Sequence, residues 1–148
     1  MRVVFIRQAK GKSPEIAELV ADYILRFRPY CSAEVIEPKS RGAGDDYTAP
    51  AIWNETSTRR IALDERGKQF GSVELSQRIS GWKDEPSIKT VCFFIGGPFG
   101  IPASVADTAH EKWSLSKGTL PQDLAWLVLV EQVYRGFTIL AGHPYHHE

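Results

Sequence analysis

The chain has 148 residues, which is room for one domain and little more. Hydrophobic residues make up 43% and charged residues 24%, a balance that excludes wholesale disorder. Lys plus Arg and Asp plus Glu both number 18; this zero formal charge argues against a non-specific grip on nucleic acid, which needs many phosphate contacts, and leaves open the reading of one folded RNA site by a local basic patch.

Residues 3–6 read as a short buried strand, too short for the apolar core of a signal peptide. Ser13-Pro14-Glu15 then opens a helix: Ser13 suits the N-cap, Pro14 the first helical position, and Glu15 and Glu18 the positive end of the dipole. Ile16, Leu19, Val20, Tyr23, Ile24 and Phe27 recur at steps of three and four and give it one apolar face, and Pro29 stops it. Residues 33–37 form a second strand. The pattern fails from 38 to 58, where Lys39, Arg41, Gly42, Gly44, Asp45 and Asp46 read as a surface loop. Residues 60–63 are a third strand, ending in Asp64-Glu65-Arg66-Gly67. Ser72 begins a helix with Leu75, Ile79 and Trp82 on its inner face. Beyond Pro86, residues 90–95 are a continuous apolar strand of the kind covered on both sides. A short helix over 103–111, a short strand over 112–115 and a long helix over 124–141 complete the chain. The last is nearly long enough for a membrane span, but Glu131, Gln132 and Arg135 at its middle exclude one. A cytosolic protein with no membrane partner is expected.

Strands alternating with helices predict an α/β fold: one domain, 1–148, with a parallel sheet and helices on both faces. Ligands of such sheets bind beyond the carboxyl ends of the strands. Three loops follow strand ends, 64–67, 96–100 and 116–121, and are expected on one edge, closing on one ligand. The final helix is apolar all the way round at Trp126, Leu127, Val128, Leu129 and Val130. A second apolar face needs a second partner, which predicts a two-fold homodimer; a central helix of a single core is the alternative.

Ile95-Gly96-Gly97-Pro98-Phe99-Gly100 is a strand-to-helix turn in which Gly96 and Gly97 let backbone approach a ligand, or simply make a turn. It has neither dinucleotide-fingerprint nor P-loop spacing. Leu115-Ser116-Lys117-Gly118-Thr119-Leu120-Pro121 offers amides, hydroxyls and apolar walls suited to an adenine ring; the plainer reading is a helix cap at Thr119 with Pro121 in the first turn. Three of the four histidines, His143, His146 and His147, crowd the last six residues beside Tyr145. No third ligand has helical spacing to them, so no metal is expected. Arg135 among apolar residues must be paired, with Glu131 four residues earlier, or presented to a phosphate or base. Cys92 reads as a buried hydrophobe and Cys31 as a loop residue.

Together these residues resemble the ribosomal RNA large subunit methyltransferase H family, small members of the SPOUT class. The matching pieces are Leu63-Asp64 with Gly67-Lys68 and Ser72, Ile95-Gly96-Gly97 with Gly100, Leu115-Ser116-Lys117 with Thr119 and Pro121, Glu131-Gln132 with Tyr134-Arg135, and Gly142 with Tyr145-His146. The resemblance spans nearly the whole chain. It implies a C-terminal trefoil knot, against the general rule, and a homodimer with the cofactor pocket at the interface. It implies S-adenosyl-L-methionine as methyl donor, with no metal, and N3 of a pseudouridine in large-subunit rRNA as acceptor. By position the cofactor contacts are Leu63, Gly96, Gly97, Leu115, Ser116, Lys117, Gly118, Thr119 and Leu120, and the catalytic candidates are Tyr145, His146 and Arg135. The chain departs from the family pattern at Gln122 and Trp126, where His and Arg are usual, at Gly118, where Met is common, and at His147, where Lys or Arg is usual. The alternative is a dimeric α/β module that binds a nucleotide or S-adenosylmethionine without transferring anything.

Overall fold

The computed structural model describes residues 1–38 and 47–147. The expected loop residues Lys39, Arg41, Gly42, Gly44, Asp45 and Asp46 lie outside them. In chain order the elements are β1 (Arg2–Arg7), α1 (Pro14–Arg26), β2 (Ser32–Ile36), a 3-10 helix (Ala51–Asn54), β3 (Thr58–Lys68), α2 (Ser72–Asp84), β4 (Thr90–Ile95), α3 (Ala103–Ala106), β5 (Glu111–Trp113) and α4 (Gln122–Leu140). All five strands are parallel, in the order β2-β1-β4-β3-β5. The first helix starts as its sequence dictates: Ser13 Oγ accepts the Ile16 N–H at 3.3 Å and Pro14 takes the first position. It ends at Arg26, capped by Phe27, before Pro29 is reached.

Strand alternation divides the core between two faces. Val3, Phe5, Ile61, Val91, Phe93 and Ile95 point to a layer made by α1, α2 and α4. Val4, Ile6, Ala62, Cys92 and Phe94 point the other way, onto Ile52 and Trp53 of the 3-10 helix and Val105 of α3. Helices thus cover both faces, but unequally: the three long ones share one side.

Most boundaries move by one or two residues, and three differences have a cause in the tertiary structure. The third strand does not stop at Leu63. It runs to Lys68 around an irregularity, because Leu63 and Lys68 both register with Trp113 of β5 and residues 64–67 bulge out between them. Gly67 permits this, since a Cβ there would lie 2.6 Å from the Lys112 carbonyl. The helix expected over 103–111 lasts only to Ala106. Thr108 Oγ1 donates back to the Ser104 carbonyl and accepts from Trp53 Nε1, and the His110 N–H goes to Arg60 O, so the chain is drawn off into the sheet. The fifth strand covers Glu111–Trp113 rather than 112–115, because Ser114 and Leu115 have already turned into the next loop.

The helix α4 lies on the sheet between α1 and α2. Gly136 lets α2 approach: a Cβ there would fall 2.6 Å from Ile79 Cδ1. On its other side Tyr134 and Phe137 meet Phe27 and Tyr30 edge-on or stacked, with ring centroids 5.7–6.3 Å apart. Its apolar circumference is therefore largely taken up inside one chain, as the central-helix alternative requires. Leu124, 41% exposed, is the apolar residue it leaves to solvent at its start. No helix among the described residues is long and apolar enough to cross a membrane.

Candidate functional site

The three loops expected to converge do so. A cavity of about 660 Å³ is lined by Leu63 to Arg66 after the regular part of β3, by Ile95 to Ile101 after β4, and by Ser114 to Ser116 and Gly118 to Gln122 after β5. Its volume suits a small-molecule site. Leu63, Ile95, Leu115, Leu120 and Ala125 give apolar walls, and Asp64 and Glu65 put carboxylates at the rim. Hydrogen bonds from the Arg66 backbone and side chain hold Asp64 below its ordinary carboxylate value, so it stays charged at neutral pH.

The glycine turn is built differently from the sequence reading. Gly96 is required by the chain itself: a Cβ would lie 2.7 Å from the carbonyl carbon and oxygen of Gly100. Gly100 has φ +88°, a left-handed value that glycine alone adopts readily, and its N–H closes the turn on Gly97 O at 3.1 Å. The inner polar groups are already taken. Gly97 N–H donates to Gln8 Oε1 at 2.8 Å, and Gly96 O accepts from Gln122 Nε2 at 3.0 Å. The turn shapes the cavity; it does not aim the Gly97 N–H at a ligand. Phe99 stands fully exposed at its tip.

The loop after β5 is held by its own serines. Ser114 N–H donates to Lys68 O, Ser114 Oγ to Ser116 O at 2.8 Å, and Gly118 N–H to Ser116 Oγ at 3.0 Å. The N–H groups of Leu115, Thr119 and Leu120 find no acceptor among the described residues. Thr119 does not cap α4: the N-cap is Pro121, without a side-chain cap bond. Lys117 points away from the main cavity and lines a second void of about 360 Å³ behind the loop, against Phe70, Leu75, Val128, Leu129 and Gln132. Trp113, Ser114, Leu115 and Ser116 border both.

The tail forms a separate cluster. Gly142 (φ +69°) ends α4 in a Schellman motif, its N–H donating to Ile139 O and the His143 N–H to Thr138 O, and the chain turns back along the helix. Tyr145 OH thereby reaches Glu131 Oε1 at 2.9 Å and Tyr23 OH at 3.1 Å. Arg135 donates from Nε and Nη2 to the same Glu131 oxygen at 3.0 and 2.7 Å, and its guanidinium lies 4.7 Å from the centre of the Tyr145 ring. Arg135 Nη1 and His146 Nδ1 are 3.2 Å apart. A guanidinium only donates, so Nδ1 accepts and the ring proton sits on Nε2. Burial, then the bonds to Tyr23 and Glu131, push the Tyr145 phenol well above its ordinary value. Glu131 is thus a partner to Arg135 and also the anchor of the tail. Tyr145, His146 and Arg135 come together, but none of them lines the cavity. His143 and His147 are exposed.

Sequence reasoning missed Gln8, Arg7 and Asp123. Arg7, 4% exposed, pairs with Asp123, which also accepts the N–H groups of Lys12 and Ser13 at 3.0 Å. Trp126, at a position where Arg is usual in the family, is buried, with the Arg7 guanidinium 5.3 Å from its ring. No local pattern marks these pairs, since Gln8 and Gly97 lie 89 residues apart in the chain and Arg7 and Asp123 lie 116 apart. Burial raises the Cys31 thiol to about 11 and the Cys92 thiol to about 12, so both stay protonated at neutral pH.

Comparison with known proteins agrees with this architecture. A family model described as predicted SPOUT methyltransferase matches residues 1–146. A ribosomal RNA large subunit methyltransferase H from Polynucleobacter asymbioticus is 38% identical over the full length of both chains, and one from Gloeobacter violaceus is 32% identical over 99% of each. One from Maridesulfovibrio salexigens is 52% identical over 87 residues, 59% of this chain and 55% of that one. Among solved structures, a probable methylase family protein from Haemophilus influenzae superposes with a TM-score of 0.60 at 11% identity, over 99% of this chain and 70% of that one; the likeness is one of fold. With its parallel sheet and a family match from end to end, this chain belongs to the SPOUT methyltransferases, in the ribosomal RNA large subunit methyltransferase H family.

Proposed function

We propose that the chain transfers a methyl group from S-adenosyl-L-methionine to N3 of a pseudouridine in 23S rRNA, acting as a cytoplasmic homodimer on rRNA within the ribosome. The observation that supports this most is the convergence of three sequence-distant loops on one cavity, in a chain whose full-length relatives are named for rRNA methylation. The donor set suits the adenosyl group: apolar walls for a flat ring, backbone N–H groups of residues 115, 119 and 120 for its edge, and the Asp64 and Glu65 carboxylates for the cationic end. When bound, this cofactor supplies a sulfonium methyl that is already electrophilic. The residues named here bind and orient; positioning of this kind can supply several kcal/mol.

The acceptor's N3 proton must also leave. Tyr145 keeps its own proton, so its part is to hold the tail and to stack on a splayed base. His146 Nδ1 is engaged by Arg135; an RNA phosphate that draws the guanidinium away frees this nitrogen to accept. A homodimer brings the tail of one protomer to the cavity of the other, with exposed Leu124 at the cavity end of α4 as part of the contact. The trefoil threading of the C-terminal third belongs to the same reading, and the β1-β4-β3-β5 order is consistent with it.

The test is incubation of the protein with labelled S-adenosylmethionine and ribosomes lacking the modification. Label in 23S rRNA, at N3 of a pseudouridine, is the expected result. Cofactor binding with no label in rRNA overturns the reading in favour of the binding module. Absence of thermal stabilisation by S-adenosylmethionine points to a different cofactor.

A further inference from the structure

The turn 96–100 forms one wall of the cavity, yet little of its own chemistry fixes its shape. It holds three glycines and a single internal backbone bond, Gly100 N–H to Gly97 O. Glycine at three of five positions gives the segment wide backbone freedom, which Pro98 limits only locally. Two side chains from outside restrain it, one with an acceptor and one with a donor. Gln8, just beyond β1, accepts the Gly97 N–H through Oε1 at 2.8 Å. Gln122, the first residue of α4, donates Nε2 to Gly96 O at 3.0 Å. Amide orientation is not ambiguous here, because a backbone N–H can only donate and a backbone carbonyl can only accept.

The two glutamines are themselves fixed. Gln8 N–H bonds to Ile95 O at 3.0 Å, so its backbone moves with β4. Their neighbours, Arg7 and Asp123, form an ion pair, and Asp123 also takes the N–H groups of Lys12 and Ser13. Gly11 leaves the space this needs, since a Cβ there would fall 2.7 Å from Asp123 Oδ1. The ends of β1 and β4 and the starts of α1 and α4 are thus tied at one point behind the turn.

We propose that Gln8 and Gln122 are positioning residues of the methyl-donor cavity: they fix the Gly97 N–H and the Gly96 carbonyl from opposite polarities and so hold the wall in its ligand-ready shape. This rests on the reading of the cavity as the S-adenosylmethionine site. Pre-setting a mobile wall raises affinity by removing the ordering cost from the binding step.

The polarity makes the claim testable with near-isosteric changes. Position 8 needs only an acceptor, so Gln8→Glu retains the contact and Gln8→Met loses it. Position 122 needs a donor, so Gln122→Glu and Gln122→Met both lose it, the first by setting two acceptors face to face. Titration calorimetry with S-adenosylmethionine should show Gln8→Glu within about twofold of wild type and the other three weaker by about fivefold to thirtyfold, the span expected for one lost or unsatisfied bond. In turnover the donor KM rises by the same factor while kcat stays within about twofold. A role in packing alone would treat Glu alike at both positions. Amide exchange at Gly97 reads the contact without ligand: slow in wild type and Gln8→Glu, faster in Gln8→Met. Equal exchange in all three, or equal affinity in all five proteins, overturns the proposal and leaves the cofactor reading intact. No binding by wild type overturns the cofactor reading instead, and the exchange pattern still decides whether the glutamines hold the turn.

Discussion

Adding one methyl group to each of two adjacent glycines should separate them sharply. At Gly96 the new Cβ would lie 2.7 Å from the carbonyl carbon and oxygen of Gly100 and 2.9 Å from Ile101 N, where ordinary contact begins near 3.4 Å. The shortfall is therefore about 0.7 Å against backbone atoms, which cannot rotate aside. At Gly97 the nearest atoms are Gln8 side-chain atoms at 3.6 Å, an ordinary contact, and φ lies outside the left-handed region. Gly96→Ala should cost about 1–3 kcal/mol, the range for an overpacked interior site. Gly97→Ala should cost less than about 0.5 kcal/mol. Because the displaced atoms form the cavity wall, Gly96→Ala should also weaken S-adenosylmethionine by about tenfold or more, equivalent to about 1.4 kcal/mol. Urea unfolding gives the first quantity and calorimetry the second. Equal behaviour of the two variants in both measurements would refute the reasoning, because it would mean that the turn does not close on Gly96 as described.

Asp123→Asn should flatten the acid limb of the stability curve. Burial works to raise this carboxyl, but the bonds from Arg7, Lys12 and Ser13 leave it below its ordinary value of 3.8. Its stabilisation is present above that value and lost as pH falls through it toward the lower folded one, which acid titration of unfolding reads directly. Tyr145→Phe and His146→Ala, made separately, should bind S-adenosylmethionine as wild type does but transfer methyl groups more slowly; full activity in both would remove the tail from the mechanism. The raised phenol adds an alkaline counterpart: its stabilisation holds below the ordinary value of 10.0 and fades as pH rises above it, a limb absent from Tyr145→Phe. Glu131→Gln should destabilise by about 1–2 kcal/mol and speed amide exchange over residues 143–147, since one carboxylate oxygen anchors both Arg135 and Tyr145. Gly81→Ala, on an open face of α2 with nothing within 4 Å, should stabilise by about 0.5–1 kcal/mol in thermal or urea unfolding.

Much of the scaffold was legible because its signals are local. The Ser13-Pro14 start, the unbroken 90–95 strand and the Leu75, Ile79 and Trp82 stripe each follow from neighbours within one or two turns of chain. The convergence of the three loops was also readable, from the rule that parallel strands place their carboxyl ends on one edge. What stayed hidden depends on partners distant in sequence. Thr108 ends α3 by bonding back to Ser104 and taking Trp53, and no helical propensity reports that. Residues 64–67 looked like a strand end because their bulge exists only against Trp113. Gln8 and Arg7 lie in an unremarkable polar stretch, and their meaning appears only with Gly97 and Asp123 beside them. The all-round apolar character of α4 predicted a second copy of the chain, with a central helix of one core as the alternative; α1, α2 and the sheet of the same chain take up most of that surface.

Residues 113–116 stand between two voids, with open space on either side of a single thickness of chain. Trp113 and Ser114 are anchored in the core, so it is Leu115 and Ser116 that stand between the two spaces with least behind them. A small molecule wedged into the rear chamber, against Phe70, Val128 and Gln132, would bow the divider forward and alter the front chamber without ever competing for it.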